Sequence, residues 1–166
     1  MSDWSHSIRM ATDADGPRII PIVNAAFAVE SFIEGPRTDD AQMAELMQSG
    51  EFLILEDDAS LEDDAGRVMA SIYVEPHGGR GYFGMLAVDP ARQGLGLGRV
   101  MVEAAENHCR DRGCQYMDIA VLSPRAELVP FYNELGYFET AREPFAGAHL
   151  VKPGIECHSI VMSKAL

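Results

Sequence analysis

Apolar positions along the chain change period several times, and each change marks an element. His6 to Ala11 alternates, with Ile8 and Met10 on one side, which predicts a short strand. From Asp15 to Val29 the residues Ile19, Val23, Ala26 and Phe27 recur at helical spacing. Thr12 or Asp13 can cap that helix, Pro17 suits its first turn, and Pro21 is expected to bend or delay it. Gly35-Pro36 punctuates a connection over 31–37. A second helix is expected from Thr38 to Gly50, with Met43 and Leu46 inward and only part of a capping box, since Ala41 stands where a Glu would complete it.

Phe52 to Glu56 then reads as an apolar strand, with 67–74 as its hairpin partner. Pro76 to Gly79 predicts a tight turn in which Gly78-Gly79 takes the positive-φ positions. A strand follows over 80–88. After a glycine-rich loop, Leu97, Met101, Ala104 and His108 recur at helical spacing up to Arg110, Arg112 and Gly113, a set of C-terminal signals. Gln115 to Val121 alternates again, with Met117, Ile119 and Val121 on one face. A short helix over 124–135 contains Pro130, so either it kinks or its regular part begins there. Strands over 137–142 and 156–163 flank a loop, 144–154, rich in Pro and Gly. Tyr137 and Phe138 are expected in the core. The order βααβββαβαββ predicts a three-layer α/β sandwich with a mixed sheet, in one domain over 1–166. Strands 81–88 and 115–121 should be parallel, because their connection is long.

The stretch from Tyr82 to Arg112 organises the rest. It is a strand, a loop with Gly94, Gly96 and Gly98, and a helix. Glycines let backbone approach a ligand, and the first N–H groups of a helix have no partner within it. That is an anion site. Gly98-Arg99-Val100 lacks the Gly-Lys-Ser/Thr ending of a nucleotide-triphosphate loop. Neither Gly94 nor Gly96 starts G-x-G-x-x-G, although Asp118 lies at roughly the spacing of a ribose-binding acid, so a dinucleotide stays open as an alternative.

Composition narrows the classes. With 47% hydrophobic residues in 166, the chain should fold into a globule. No apolar run reaches the roughly 18 residues of a membrane helix, and the first ten residues lack a secretory signal, so a cytoplasmic protein without a membrane partner is expected. Net charge −13 argues against a nucleic-acid partner and permits a cationic one. Cys109, Cys114 and Cys157 lack metal spacing and read as free thiols. The acidic run Glu56, Asp57, Asp58, Glu62, Asp63, Asp64 does not match a Ca²⁺ loop and reads as a solvated turn; no metal is expected.

Gln93-Gly94-Leu95-Gly96-Leu97-Gly98 matches Q/R-x-x-G-x-G/A after a strand ending Leu86-Ala87-Val88. Downstream lies Phe131-Tyr132-Asn133-Glu134-Leu135-Gly136-Tyr137. Together these resemble the coenzyme A loop and the final helix of the GCN5-related N-acetyltransferases, with the likeness strongest over Gly66 to Glu139. The resemblance implies the acyl-CoA N-acyltransferase fold, with a sheet that splays between the two parallel strands. It implies acetyl-CoA as cosubstrate and a small-molecule or peptide amine as acceptor, with a homodimer as one expectation for assembly. Gln93, Gly94, Gly96, Gly98 and Arg99 become pyrophosphate contacts, Leu86 and Val88 backbone partners of the pantetheine arm, and Tyr132 the proton donor to the leaving thiolate.

Ser123 stands where relatives often carry Asn, as a cofactor contact. Arg92 adds positive charge beside the glycine loop, and Arg125 is a phosphate or substrate contact or a surface residue. The central strand lacks the carboxylate that several relatives use as base; Gly84 leaves space instead. Glu30, Glu34 and Asp39 are the acids expected to receive a cationic amine, with Glu75, Asp118 and His149 as further candidate bases. The missing carboxylate leaves a second function open, an acyl-CoA-binding sensor or partner domain without catalysis.

Overall fold

The computed structural model describes residues 7–57 and 67–166. Seven strands form one sheet: β1 (Ile8–Met10), β2 (Glu51–Asp57), β3 (Arg67–His77), β4 (Arg80–Val88), β5 (Tyr116–Leu122), β6 (Phe138–Pro144) and β7 (His158–Ala165), in the order β1-β2-β3-β4-β5-β7-β6. All neighbours are antiparallel except β4 and β5. The mixed, open sheet expected from the element order is what forms.

Four helices cover it: α1 (Gly16–Phe27), α2 (Asp40–Ser49), α3 (Leu97–Arg110) and α4 (Leu128–Glu134). The two faces bury different sets, as the period-2 pattern of β2 requires. Phe52 and Ile54 pack with Ile19 and Val23 of α1 and Met43 of α2. Leu53 and Leu55 pack with Leu97, Met101 and Ala105 of α3 on the other side. Each such fully buried side chain contributes about 1.5–3 kcal/mol. Beneath α3 the carboxylate of Glu106, 5% exposed, accepts from Tyr137 Oη at 2.7 Å and Lys164 Nζ at 2.9 Å. A buried charge needs such partners, and these tie α3 to β7.

Two irregularities shape the middle of the sheet. β4 and β5 pair only over Arg80↔Tyr116, Gly81↔Met117 and Tyr82↔Asp118; beyond that they part. On its other side β4 carries a bulge. Ser71 faces Ala87 and Tyr73 faces Gly84, so Ile72 alone opposes Met85 and Leu86. Met85 takes the left-handed conformation, φ 51°, uncommon for a non-glycine residue.

Several boundaries differ from the sequence expectation. α2 starts at Asp40, not Thr38, because Asp39 Oδ1 accepts from Gln42 N at 2.8 Å and is the cap. Thr38 is instead held by the Asn24 amide, through its N–H at 2.9 Å and its carbonyl at 3.1 Å. β3 runs on to His77, leaving Gly78-Gly79 as a two-residue turn with φ 58° at Gly78. Pro130 sits in the first turn of α4, where its missing N–H costs nothing. Tyr137 is fully buried, whereas Phe138 is 63% exposed, because β6 is an edge strand and Phe138 starts it. Of the acidic run, Glu56 and Asp57 end β2 in ion pairs with Arg9, Arg18 and Arg92; Asp58, Glu62, Asp63 and Asp64 lie outside the described residues, as does His6. No group of three or more metal-binding side chains occurs among the described residues.

Asp15 sets a pH dependence. Its buried carboxylate accepts from Arg9 Nη1 at 2.9 Å, Arg18 Nη1 at 2.8 Å and Thr12 N at 2.8 Å. The Arg9 guanidinium, helped by Thr12 and Arg18 against the opposing effect of burial, holds it well below the usual carboxylate range. A carboxylate depressed on folding stabilises above its unfolded pKa, near ~3.9, and loses that contribution as pH falls below it. Asp15→Asn should therefore cost about 1–3 kcal/mol at pH 7, measured by urea unfolding. The gap between parent and variant should narrow below about pH 4; a constant gap down to pH 3 would refute the assignment.

Candidate active site

The parting of β4 and β5 opens a cavity of about 420 Å³, within the usual range for small-molecule sites. One wall is β4 from Tyr82 to Val88, whose edge toward β5 has no strand partner past Tyr82. Its backbone donors and acceptors there are free for a ligand. At one end stands the start of α3. Gly96 is its N-cap at φ 78°, and Gly94 precedes it at φ 85°, so both lie in the left-handed region that glycine alone enters without strain. A side chain at either position would meet no protein atom within 4 Å. The loop thus holds an open concavity lined by backbone, and the free N–H groups of Leu97, Gly98 and Arg99 form the positive end of the helix dipole.

Gln93, Gly94, Gly96, Gly98, Arg99, Leu86 and Val88 all line the cavity, as does Tyr132. The Arg99 guanidinium reaches Glu134 at 2.7 Å, an exposed pair that a phosphate can displace at little cost. Arg92 is anchored by Asp57 at 2.9 Å. Tyr132 is 8% exposed and packs edge-on against Phe131 and Tyr137. Burial pushes its hydroxyl up to about 12, with Arg125 acting weakly the other way.

Ser123 is not brought in. Its Oγ accepts from His158 N at 3.0 Å and ties the end of β5 to β7. Glu34 and Asp39 also stay outside the cavity lining; Asp39 is spent as the α2 cap. Glu30 alone of the three faces it. Its side chain is 6% exposed, with Oε2 accepting from Arg125 Nη1 at 2.9 Å and Oε1 3.6 Å from Arg37. The further candidate bases are engaged elsewhere: Asp118 with Arg80 and Ser163, and Glu75 with Tyr73 and His77. His149 does not line the cavity.

Sequence reading missed Tyr82 and Arg37. Tyr82 looked like one more strand residue, yet its hydroxyl leans over Gly84, 2.5 Å from where a Cβ at that position would stand. Gly84 is thus the floor on which Tyr82 lies. Gly84→Ala should swing the ring aside with little loss of stability, since one side-chain tip moves. Binding of a small molecule that reaches Tyr82 should change on the order of tenfold, below the ~10²-fold that misplacement can cost at reacting atoms. The affinity for a phosphate-bearing ligand held at the glycine loop should stay near the parent value. Unchanged binding by calorimetry would show that Tyr82 does not shape this part of the cavity.

Comparison with known proteins agrees with this fold. The family model described as "Acetyltransferase (GNAT) family" matches residues 19–137. The solved ribosomal-protein-S18-alanine N-acetyltransferase of Escherichia coli superposes with TM-score 0.76 at 19% identity, over 95% of this chain and 92% of that one. For yncA of Salmonella typhimurium, solved with its cofactor acetyl-CoA, the TM-score is 0.70 at 25% identity, over 96% and 92%. A GNAT family acetyltransferase of Elizabethkingia anophelis with acetyl-CoA bound gives 0.73 at 14% identity, over 96% and 97%. No curated protein matches the sequence. Among the described residues no helix is long and apolar enough to cross a membrane.

Proposed function

We propose, from the premise that the chain belongs to the acetyltransferase (GNAT) family, that it moves an acetyl group from acetyl-CoA to a primary amine by direct attack on the thioester. One juxtaposition supports this reading: the unpaired edge of β4, the N-terminus of α3 behind Gly96, and the Tyr132 hydroxyl share a single cavity. That set matches the three parts of an acyl-CoA: an extended amide-bearing arm, a pyrophosphate and a thioester sulfur.

Each residue then has a task. The N–H groups behind Gly94, Gly96 and Gly98, with Gln93 and Arg99, hold the pyrophosphate. The main chain of Leu86 and Val88 pairs with the pantetheine amides as a missing strand would. The bulge at Met85 turns a β4 N–H toward the thioester carbonyl, where it stabilises negative charge as the amine adds. The C–N bond forms, the C–S bond breaks with its electrons going to sulfur, and Tyr132 donates a hydrogen bond to the forming thiolate. The amine proton leaves to water, since Glu30, the one carboxylate that lines the cavity among the described residues, is bonded to Arg125 and lies 3.6 Å from Arg37. A thiol-release assay with acetyl-CoA and a broad amine panel tests this. Turnover with at least one amine is expected. Tight acetyl-CoA binding by calorimetry with no thiol release from any amine would favour the second reading, a non-catalytic acyl-CoA sensor, which the lack of an unpaired carboxylate base motivates.

A further inference from the structure

Away from the glycine loop, the other end of the cavity is built by Glu30, Arg37 and Arg125, with Phe27 and Tyr82 beside them. These groups come from the end of α1, the connection after it, and the turn after β5, so the fold rather than any local motif assembles them. Two guanidinium groups meet one carboxylate. The second partner of Arg125, Glu127, has a side chain 63% exposed and is not part of the lining. The charges that line this end of the cavity among the described residues are thus two guanidinium groups and one carboxylate, inside a protein whose net charge is −13.

Its hydrogen bonds are also incomplete. Glu30 Oε1 is buried without a hydrogen-bond partner. Arg37 Nη1 is 3.6 Å away, too far for a hydrogen bond. Arg37 rests on the Phe27 ring at 4.8 Å, which fixes the plane of its fork. A buried carboxylate oxygen left unmade is costly, and an arginine fork is the group best suited to a second carboxylate. An acceptor and a donor thus stand unfilled side by side.

We infer that the acetyl acceptor is an amine that carries a carboxylate, of the α-amino-acid class. Arg37 and Arg125 receive the acceptor's carboxylate, and Glu30 Oε1 accepts an N–H of its amine. This inference rests on the acetyl-transfer reading and names its acceptor. It also narrows the expectation of a cationic amine drawn to acid: Glu34 and Asp39 lie outside the cavity lining, and Glu30 meets the amine beside two arginines.

The test compares a panel of L-amino acids with their carboxamides as acceptors, reading thiol release. The free acids should give higher kcat/KM by at least about tenfold, although the amides are the less basic amines. Arg37→Gln removes a side chain that makes no hydrogen bond among the described residues, so the protein should still fold. It should lower kcat/KM for the acids by about 10–100-fold, the scale of a lost charge-assisted hydrogen bond, and shrink the acid-to-amide ratio. Arg125→Gln should act in the same direction, with circular dichroism reporting whether it folds. Amides or peptide N-termini used as well as free acids would overturn the inference and leave acetyl transfer standing. If no acceptor turns over, calorimetry of acid against amide on the CoA-loaded protein decides: tighter binding of the acid supports the inference, and equal or absent binding refutes it.

Discussion

Gly96→Val is expected to weaken acetyl-CoA binding by roughly 10²-fold or more, through two effects that Gly98, the third loop glycine, does not combine. A β-branched residue at φ 78° is strained by about 1–3 kcal/mol. The loop relaxes that strain by turning Gly96 and its neighbours away from the geometry that aims the α3 N–H groups outward. The new side chain also fills space that no protein atom occupies within 4 Å, the space a phosphate needs. Global stability should fall by less than affinity, because the loop is exposed. Gly98→Ala is the control: its Cβ would meet Phe131 at 3.6 Å, an ordinary contact, at a backbone angle any residue accepts. Binding there should change only several-fold. Calorimetry giving Gly96→Val the parent affinity would remove the loop from the site.

Tyr132→Phe should lower kcat by about 10²-fold, at the low end of what a placed proton donor contributes, while KM for acetyl-CoA stays close to the parent value. The structure sharpens the reason. A free tyrosine near ~10 is already a weaker acid than a thiol near ~8.5, and burial raises Tyr132 to about 12. Complete proton transfer to the thiolate is therefore well uphill. The hydroxyl works by donating a hydrogen bond that strengthens as charge builds on sulfur, and water completes the protonation. The ring lies in an aromatic cluster with Phe83 at 6.1 Å and Phe131 at 5.0 Å. Phenylalanine keeps that packing, so the melting temperature should barely move. With chemistry rate-limiting, a fall in kcat below about tenfold would make Tyr132 a packing residue only.

What sequence could reveal here was local. The β4 strand, the glycines and α3 follow each other directly, and each carries its own signal: an apolar run, residues suited to positive φ, helical spacing. The Phe131–Tyr137 segment is local in the same way, so Tyr132 was visible from its neighbours. The acceptor end was not. Glu30 and Arg125 are 95 positions apart, and their 2.9 Å contact is made only when the sheet brings the end of α1 beside the turn after β5. Composition counts acids without showing which are already paired. The left-handed Met85 left no trace either, because methionine has no preference for that conformation. Asp39 and Ser123 misled for a related reason: small polar residues at element ends are as useful to backbone as to ligands.

Only three residue pairs join β4 to β5, so the sheet is two half-sheets sewn together at one end. If the pantetheine arm supplies the missing row of hydrogen bonds, the cosubstrate is also a seam. Its binding then stabilises by mass action, by about 2.7 kcal/mol when it is present at 100 times its dissociation constant. The β4 amides that face the parted edge would then exchange with solvent slowly when acetyl-CoA is bound and quickly when it is absent, while those bonded to β3 would change less.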